Sequence, residues 1–365
     1  MFTQKDLREL VDYQSSSAML SVYLNTDPSL GNADAYRLRL RTMLKSVDNT
    51  EDINRILRFF ETEYDWTGKS VALFSDVNND FFRFFPLAVP VQDLIYVGER
   101  ANLRPLTGLL DSYGGYGVVL LDKQGARLFH FHLGELKEQE GVLGEEVRQS
   151  KGSGSAMTGM RGGAGKQARV VEETVERNIK EIVDFSIRFF EQKHVRRIIL
   201  CGAEDTLALY KSYLPKAWLS LIVGSFPAAM TASNTEILNR AMEVGLEAER
   251  KREDLLVDQL ITNHAKNAAA VMGINQTLDA VNSGRVKTLV VHHGYTKSGH
   301  YCADCNLITI SPQGTCSVCG NGVKSVDDVV SLAINTTMKN GGDIEIVQAH
   351  EGLFNAGKIG AFLRY

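Results

Sequence analysis

The sequence predicts an α/β protein of three domains, at residues 1–112, 113–232 and 233–365. Its 365 residues exceed the size of one typical domain, and the chain is 44% hydrophobic and 23% charged, as is ordinary for globular proteins. Strand-like apolar runs alternate with segments of helical spacing along the chain, which is typical of α/β layers. Two closely spaced cysteine pairs predict a metal-binding insertion in the last third.

The first domain mixes strands and helices. Residues 20–24 alternate with the period of a strand, whereas residues 35–60 have the apolar spacing of a helix. Residues 70–74 and 81–85 predict two more strands that flank a polar turn. Three glycines within residues 111–117 place the end of this domain there.

The second domain opens on a buried strand at residues 118–121, and a hairpin leads to a strand at residues 127–133. His130 and His132 share one face of the latter strand. We expect that face to meet solvent, because no third ligand stands at a recognisable metal-binding spacing. A long amphipathic helix and a strand at residues 197–200 complete the predicted layer.

A glycine-rich segment precedes the long helix, and we expect a loop over residues 150–167. Six glycines between Ser150 and Lys166 disfavour regular structure and allow close backbone approach to a ligand. Basic side chains in and beside the segment suit phosphate groups. A P-loop needs Ser or Thr after Gly165-Lys166, where this chain has Gln167, so a nucleoside triphosphatase is disfavoured. A plain flexible linker stays open as the alternative.

The cysteines predict a structural metal site in the third domain. Two Cys-x-x-Cys pairs ten residues apart can supply four thiolates to one tetrahedral Zn²⁺, leaving no open position for catalytic water. The predicted ligands of this zinc ribbon, at residues 300–321, are Cys302, Cys305, Cys316 and Cys319. We expect His292, His293 and His300 to lie nearby without binding the metal. Cys201 stands alone at a strand end and is predicted to be a small buried side chain.

Charge and the N-terminal residues bear on partners and location. Forty basic and forty-four acidic side chains give a net charge of −4, so no global positive field supports general nucleic-acid binding. RNA contact would have to come from a local basic patch. The first residues lack the pattern of a signal peptide, and no run is apolar enough for a membrane span. We therefore expect a cytoplasmic monomer with no membrane partner.

The chain resembles a known family, most closely at its end. Residues 286–291, residues 343–347 and the closing run at 351–365 resemble the third domain of archaeal and eukaryotic class-one peptide chain release factors and of Pelota, and the cysteines fall where archaeal members carry a zinc ribbon. Residues 116–122 resemble the opening of the second domain. Taken whole, the chain is most similar to the bacterial archaeo-eukaryotic release factor homologues.

This resemblance implies an RNase-H-like middle domain and an L7Ae-like C-terminal domain with a zinc-ribbon insertion. In the family, a glycine-rich loop carries Gly-Gly-Gln into the peptidyl-transferase centre, where it assists peptidyl-tRNA hydrolysis. Here no contiguous Gly-Gly-Gln exists. Either Gly165, Lys166 and Gln167 replace it, or Gly162-Gly163 is its remnant, with Ala164 in place of glutamine. The residues expected to contact RNA are Lys151, Arg161, Gly162, Gly163, Lys166 and Arg169.

The first domain lacks the family's stop-codon motifs. No Asn-Ile-Lys-Ser occurs, and the Tyr-x-Cys-Asp-x-x-Phe element is replaced by residues 96–102. The resemblance therefore implies a protein that binds the ribosomal A site without reading a stop codon and hydrolyses peptidyl-tRNA for ribosome rescue. The alternatives are an inactive ribosome-silencing factor and a non-ribosomal RNA- or protein-binding module. The implied partners are the ribosome and tRNA, with a translational GTPase as a further candidate.

Overall fold

The computed structural model describes residues 2–16, 18–146, 163–311 and 314–365. The chain divides into two units, one formed by residues 1–111 together with 250–365 and the other by residues 112–249. The first unit contains two separate α/β layers, and the second unit contains one. The predicted α/β class is therefore confirmed, while the limits of three separate domains remain a prediction.

The N-terminal layer is an antiparallel sheet of strand order β3-β2-β1-β4 with helices packed on one face. Its elements are α1 (Gln4–Asp12), β1 (Met19–Asn25), α2 (Ala33–Leu44), α3 (Thr50–Thr62), β2 (Ser70–Asp76), β3 (Phe81–Leu87), β4 (Leu94–Gly98) and α4 (Arg104–Tyr113). The strands predicted at residues 20–24, 70–74 and 81–85 are all present.

The helix predicted over residues 35–60 is instead two helices. Asn49 begins the second of them: its side-chain oxygen accepts a hydrogen bond from the backbone N–H of Asp52 at 3.3 Å. Asp52 is fully buried and in turn accepts hydrogen bonds from the Ser75 hydroxyl at 2.5 Å and the Val77 N–H at 3.0 Å. This polar cap interrupts the helix, because Asn favours the N-cap position over the helix interior. The helical apolar spacing continues across the break between α2 and α3, so the sequence pattern alone does not predict the break.

The second unit is one mixed sheet of strand order β7-β6-β5-β8-β9. Its elements are β5 (Tyr116–Leu121), β6 (Gly125–His132), β7 (Glu135–Leu143), α5 (Gly163–Gln192), β8 (Ile198–Cys201), α6 (Glu204–Tyr213), α7 (Lys216–Leu219), β9 (Ile222–Phe226) and the first half of α8 (Asn234–Ala265). Strands β5, β6 and β7 pair antiparallel, whereas β8 and β9 are parallel to β5.

Helices cover both faces of this sheet, which explains the continuous apolar run of β5. Val119 packs on one face with Ile179 of α5, and Val118 packs on the other with Ile237 of α8. A strand buried on both sides reads as an unbroken hydrophobic run. The layer is the mixed α/β layer predicted for the middle of the chain, and its assignment to the RNase-H-like fold remains an expectation from the resemblance.

The C-terminal layer is a mixed sheet of order β10-β16-β11-β15, with β11 and β15 parallel. Its elements, together with a smaller sheet of order β13-β12-β14, are β10 (Ala270–Met272), α9 (Ile274–Asn282), β11 (Val286–His292), β12 (Gly299–Tyr301), β13 (Ile308–Thr309), β14 (Lys324–Val326), α10 (Val329–Lys339), β15 (Asp343–Val347), α11 (Glu351–Asn355) and β16 (Ile359–Leu363). Helices α9 and α10 pack on one face, and the second half of α8 packs with α11 on the other.

Two further expectations concern the surface. Within the residues described, no helix is both long and apolar enough to cross a membrane. His130 and His132 lie on one face of β6 as predicted, but they are half-buried rather than fully turned to solvent. Burial accordingly lowers the pKa of both imidazoles. The strand pattern predicts that the two histidines share a face, but it does not predict how far neighbouring residues bury them.

Candidate metal centre and glycine-rich segment

The four predicted metal ligands meet in the small sheet of the C-terminal layer. Their Sγ atoms all lie within 4.8 Å of one another, and none of the four forms a disulfide. The sulfurs of Cys302 and Cys319 are 3.5 Å apart, and those of Cys305 and Cys316 are 3.4 Å apart. A tetrahedral ion with metal–sulfur bonds of about 2.3 Å requires sulfur separations of about 3.8 Å. The cluster is therefore positioned to hold a metal ion.

The two cysteine pairs have the same backbone geometry. The N–H of Cys302 donates to the carbonyl of Leu307 at 2.9 Å, and the N–H of Cys316 donates to the carbonyl of Asn321 at 2.7 Å. Each bond closes a loop from the first cysteine to the residue five positions on. The repetition shows that the site is built from two equivalent knuckles.

Each knuckle turns through a left-handed residue directly after its second cysteine. Gly320 has φ = +75°, and Asn306 occupies the matching position with φ = +58°. Glycine enters this region freely, and asparagine does so more readily than most residues. The cysteine spacing identifies the four ligands but not the turn residue Asn306, although alignment of the two Cys-x-x-Cys pairs places Asn306 opposite Gly320.

Backbone amides make one thiol in the cluster unusually acidic. The N–H groups of Cys319 and Val318 lower the pKa of the Cys316 thiol to about 6. The side-chain hydrogen bond to Cys316 raises the pKa of Cys305 to about 12, because a neutral thiol there donates to the neighbouring thiolate. A bound cation would replace that shared proton and favour thiolate at each position.

The knuckles are anchored to the layer beneath them. Cys302 and Ile308 are buried, and the Asn282 side chain at the end of α9 forms two hydrogen bonds with the Ile308 backbone, of 2.8 and 3.0 Å. On the other side, Lys324 of β14 pairs with Glu99 at 2.5 Å. An ion held here would therefore fix the small sheet in place against the first unit's core. All four coordination positions would be filled by protein, which is the arrangement of a structural site.

Neighbouring histidines remain outside the cluster, as expected. Among the described residues, the metal-ligand group contains cysteines alone. The His292 ring nitrogen Nδ1 lies 2.7 Å from the carbonyl of His293, and His300 stands in β12 opposite Thr309. Cys201 is fully buried in β8, where burial raises its thiol pKa far above the ordinary value. It is the small buried side chain that the sequence predicts.

The glycine-rich segment is described only in part. Lys151, Arg161 and Gly162 lie outside the described residues. Helix α5 begins at Gly163, so the backbone of Gly163, Gly165, Lys166 and Gln167 is helical where the sequence predicts a loop. Arg169 extends from α5 with a side chain that is 82% exposed, at 3.7 Å from Glu173. Helix α5 therefore begins five residues earlier than the predicted loop at residues 150–167 allows.

Three solved structures are among those similar to the chain. Dom34 of S. cerevisiae, a translation termination-like factor, is 13% identical with a TM-score of 0.42, over 83% of this chain and 82% of that one. Pelota of Archaeoglobus fulgidus is 15% identical with a TM-score of 0.34, over 76% and 77%. The archaeal translation termination factor aRF1 is 13% identical with a TM-score of 0.28, over 99% and 96%.

A family model matches the middle of the chain. The match covers residues 102–246, which contain the complete sheet of the second unit and the start of α8. The family is described as bacterial archaeo-eukaryotic release factor family 10. The resemblance predicted from the sequence is confirmed over this segment: residues 102–246 are similar to this family.

Proposed function

We propose that the protein binds the A site of ribosomes and acts on peptidyl-tRNA without reading a stop codon. The observation that carries this proposal is the match of residues 102–246 to a release-factor family. It makes the protein release-factor-like and translation-related. The sequence lacks both stop-codon motifs, which supports rescue of stalled ribosomes rather than ordinary termination. Ribosomes and tRNA would be its partners in the cytoplasm, with a translational GTPase as a candidate for delivery.

The chemistry would lie with the segment that replaces Gly-Gly-Gln. In one arrangement, Gly165, Lys166 and Gln167 approach the peptidyl-tRNA ester, and the backbone N–H of Gln167 stabilises the developing negative charge. Gln167 stands beyond the first four N–H groups of α5, so helix formation uses its N–H internally. The first turn of α5 would have to open before this group could act. Lys166, in place of the second glycine, makes a left-handed backbone costly there.

The remaining basic groups would position the segment. Lys151, Arg161, Lys166 and Arg169 carry positive charge on both sides of the glycines, and phosphates of a tRNA acceptor end are their natural partners. Gly162 and Gly163 would permit close backbone approach. These contacts do not depend on an intact catalytic triplet. They therefore also support the second candidate function, a silencing factor that occupies the peptidyl-transferase centre without hydrolysis.

We infer that the ion held by the four cysteines is Zn²⁺. Four thiolates in a tetrahedral cluster fit zinc, and the closed coordination supports a structural role. When bound, the ion supplies folding energy to the ribbon and no reaction chemistry. The cysteines would be its ligands as predicted: Cys302, Cys305, Cys316 and Cys319.

The deciding experiment uses ribosomes that carry peptidyl-tRNA and have no stop codon in the A site. Peptide released on addition of the protein supports rescue, and stable binding without release supports silencing. Absence of any ribosome association would overturn both. Gln167→Ala should abolish release while leaving binding intact, and Glu181→Gln, an exposed change on the same helix, should alter neither.

The non-ribosomal alternative makes the opposite prediction for the basic residues. Arg161→Ala combined with Lys166→Ala should weaken ribosome binding if phosphate contacts position the segment. If the protein is a binding module that acts elsewhere, the double variant should hold its true partner as tightly as the wild type does. Measurement of ribosome affinity for both proteins separates the two.

A further inference from the structure

Five basic side chains gather at one end of the C-terminal layer, where β11 and β15 begin and β16 ends. We call this surface the basic edge. Four of its members are exposed, and Arg285 is partly exposed. The basic edge consists of Lys266, Arg285, Lys287, Lys339 and Arg364.

Backbone hydrogen bonds hold these residues close together. The N–H of Arg364 donates to the carbonyl of Arg285 at 2.9 Å, and its guanidinium donates to the carbonyl of Asn340, next to Lys339, at 2.7 Å. The N–H of Leu363 donates to Ala269 at 2.8 Å, which brings in the turn that follows Lys266. Four segments distant in sequence therefore present their cations at the same end of the sheet.

A β-bulge directs Lys287 outward. Val286 pairs with Leu363 and Thr288 pairs with Phe362, so Lys287 is an extra residue with no opposite partner on β16. Bulges commonly reorient a side chain at a sheet edge. Lys287 is exposed, while Val286 beside it is buried. The bulge thus keeps the apolar side chain in the core and places the cation on the surface.

The cations of the basic edge are not neutralised by carboxylates. Among the described residues, none of the five lies within ion-pair distance of an acidic group, whereas Arg37, Arg41 and Arg55 of the first layer each pair with one. Arg285 instead donates to the Ser283 hydroxyl at 3.1 Å. Uncompensated charges at short range raise the local positive potential, although the net charge of the chain is −4.

Helix dipoles explain only some of these cations. Lys339 ends α10, Lys266 follows α8, and Arg364 caps the end of α10, all positions where the helix dipole favours a positive charge. Arg285 comes three residues after the end of α9, and Lys287 lies on strand β11. Gly341, with φ = +71° and open space around it, allows a ligand to approach the backbone between them.

We propose that the basic edge binds the phosphate backbone of RNA. Clustered Lys and Arg without carboxylate partners form the usual contact set for phosphates. Tyr365, 79% exposed beside Arg364, adds a ring on which an unpaired base can stack. This inference rests on the proposed function in one respect, that ribosomal RNA is the expected source of the phosphates. It assigns the contact to residues remote in sequence from the glycine-rich segment.

The test reverses two exposed charges of the edge, with Lys287→Glu and Lys339→Glu in one protein. The control carries Lys45→Glu and Arg58→Glu, exposed positions in the first layer that give the same change in net charge. Binding of each full-length protein to purified ribosomes and to a ribosomal RNA transcript is measured across a salt series. The edge variant should bind at least about tenfold more weakly than the control, and the slope of log affinity against log salt should fall by about 2.

The outcomes separate this inference from the proposed function. If ribosome binding is present and the edge variant matches the control on both ribosomes and RNA, the inference is overturned and the function stands. If wild-type protein ignores ribosomes but binds the transcript through the edge, the inference stands and the function fails. If the edge variant binds ribosomes more weakly than the control but keeps its affinity for the RNA transcript, the edge contacts a protein partner, and the inference is overturned. Equal melting temperatures of the variants confirm that folding is intact.

Discussion

Two glycines in the second cysteine knuckle differ in backbone conformation. Gly320 and Gly322 follow the last cysteine, and both have open space where a Cβ would be added, but only Gly320 has a positive φ. A side chain at Gly320 therefore meets backbone strain without any steric clash. Substitutions at Gly320 and Gly322 can therefore be compared to measure the cost of the left-handed backbone at Gly320.

We predict that Gly320→Ala destabilises the metal-loaded protein by about 1–2 kcal/mol, the cost of a left-handed alanine. Gly322→Ala should change the free energy of unfolding by less than about 0.5 kcal/mol. Denaturant melts in the presence of Zn²⁺ give both values. If both variants lose the same free energy of unfolding, an alanine at position 320 meets no left-handed backbone strain, which would contradict the structure.

The Asp76 carboxylate at the end of β2 makes stability depend on pH. Burial raises its pKa, but hydrogen bonds from Ser15, Tyr13 and Asn79 lower it further, so the net shift is downward. A pKa below the unfolded value of about 3.9 means that the charged form stabilises the fold above that pH. The contribution is lost as the pH falls through the folded-state pKa.

Tyr13→Phe should therefore cost about 1.5–3 kcal/mol at neutral pH, because it removes the 2.7 Å hydrogen bond from the Tyr13 hydroxyl to Asp76. The ring stacked on Phe81 is retained. The difference from wild type should shrink as the pH falls below about 3.9, where Asp76 of the unfolded chain becomes protonated, and should be lost below the lowered folded-state pKa. Urea melts across pH measure it, with Tyr365→Phe as the exposed control; a difference that stays constant with pH would contradict this reading.

At the scale of elements, α5 packs so closely on its sheet that the facing position in β5 has no room for a side chain. A Cβ added at Gly117 of β5 would lie 2.6 Å from the Phe190 ring, whereas one at Gly141 of β7 would have its nearest neighbour at 3.5 Å. We predict that Gly117→Ala destabilises the second unit by about 1–3 kcal/mol through overpacking. Gly141→Ala should be close to neutral, and thermal melts of both variants provide the comparison.

The proposed Zn²⁺ would stabilise the small β12–β14 sheet. Such a short sheet has little apolar core of its own, and ribbon sites of this kind derive their folding energy from the ion. We predict one equivalent of Zn²⁺ per chain, lost on Cys316→Ser, together with a lower melting temperature after chelation. Cys201→Ala should keep full metal content, because Cys201 lies in a different layer. Metal analysis that finds no zinc in wild-type protein would contradict the site.

Much of this organisation was predictable from local sequence pattern. The strands at 20–24, 70–74 and 118–121 follow from apolar period, and the ligands Cys302, Cys305, Cys316 and Cys319 follow from spacing. The break between α2 and α3 was missed, because the buried Asp52 cap depends on Ser75, which is distant in sequence. The helical start at Gly163 was missed because glycine content is a weak local signal.

At the scale of the whole molecule, the two ends of the chain form one unit. The guanidinium of Arg104 donates to the backbone carbonyls of His292 and Tyr295, and the Asn335 side chain donates to the carbonyl of Ala101 at 2.9 Å. Burial lowers the pKa of Arg104, which nonetheless stays charged. Local sequence pattern does not predict such contacts, because they join residues 188 to 234 positions apart.

The proposed function requires that the protein bind the ribosome. The most direct measurement is sedimentation of the protein with purified ribosomes that carry peptidyl-tRNA in the P site and have an empty A site. The account predicts that the protein moves with the ribosome peak at about one copy per ribosome and is displaced when a tRNA fills the A site. Protein that stays at the top of the gradient, or binding that ignores an occupied A site, would contradict it.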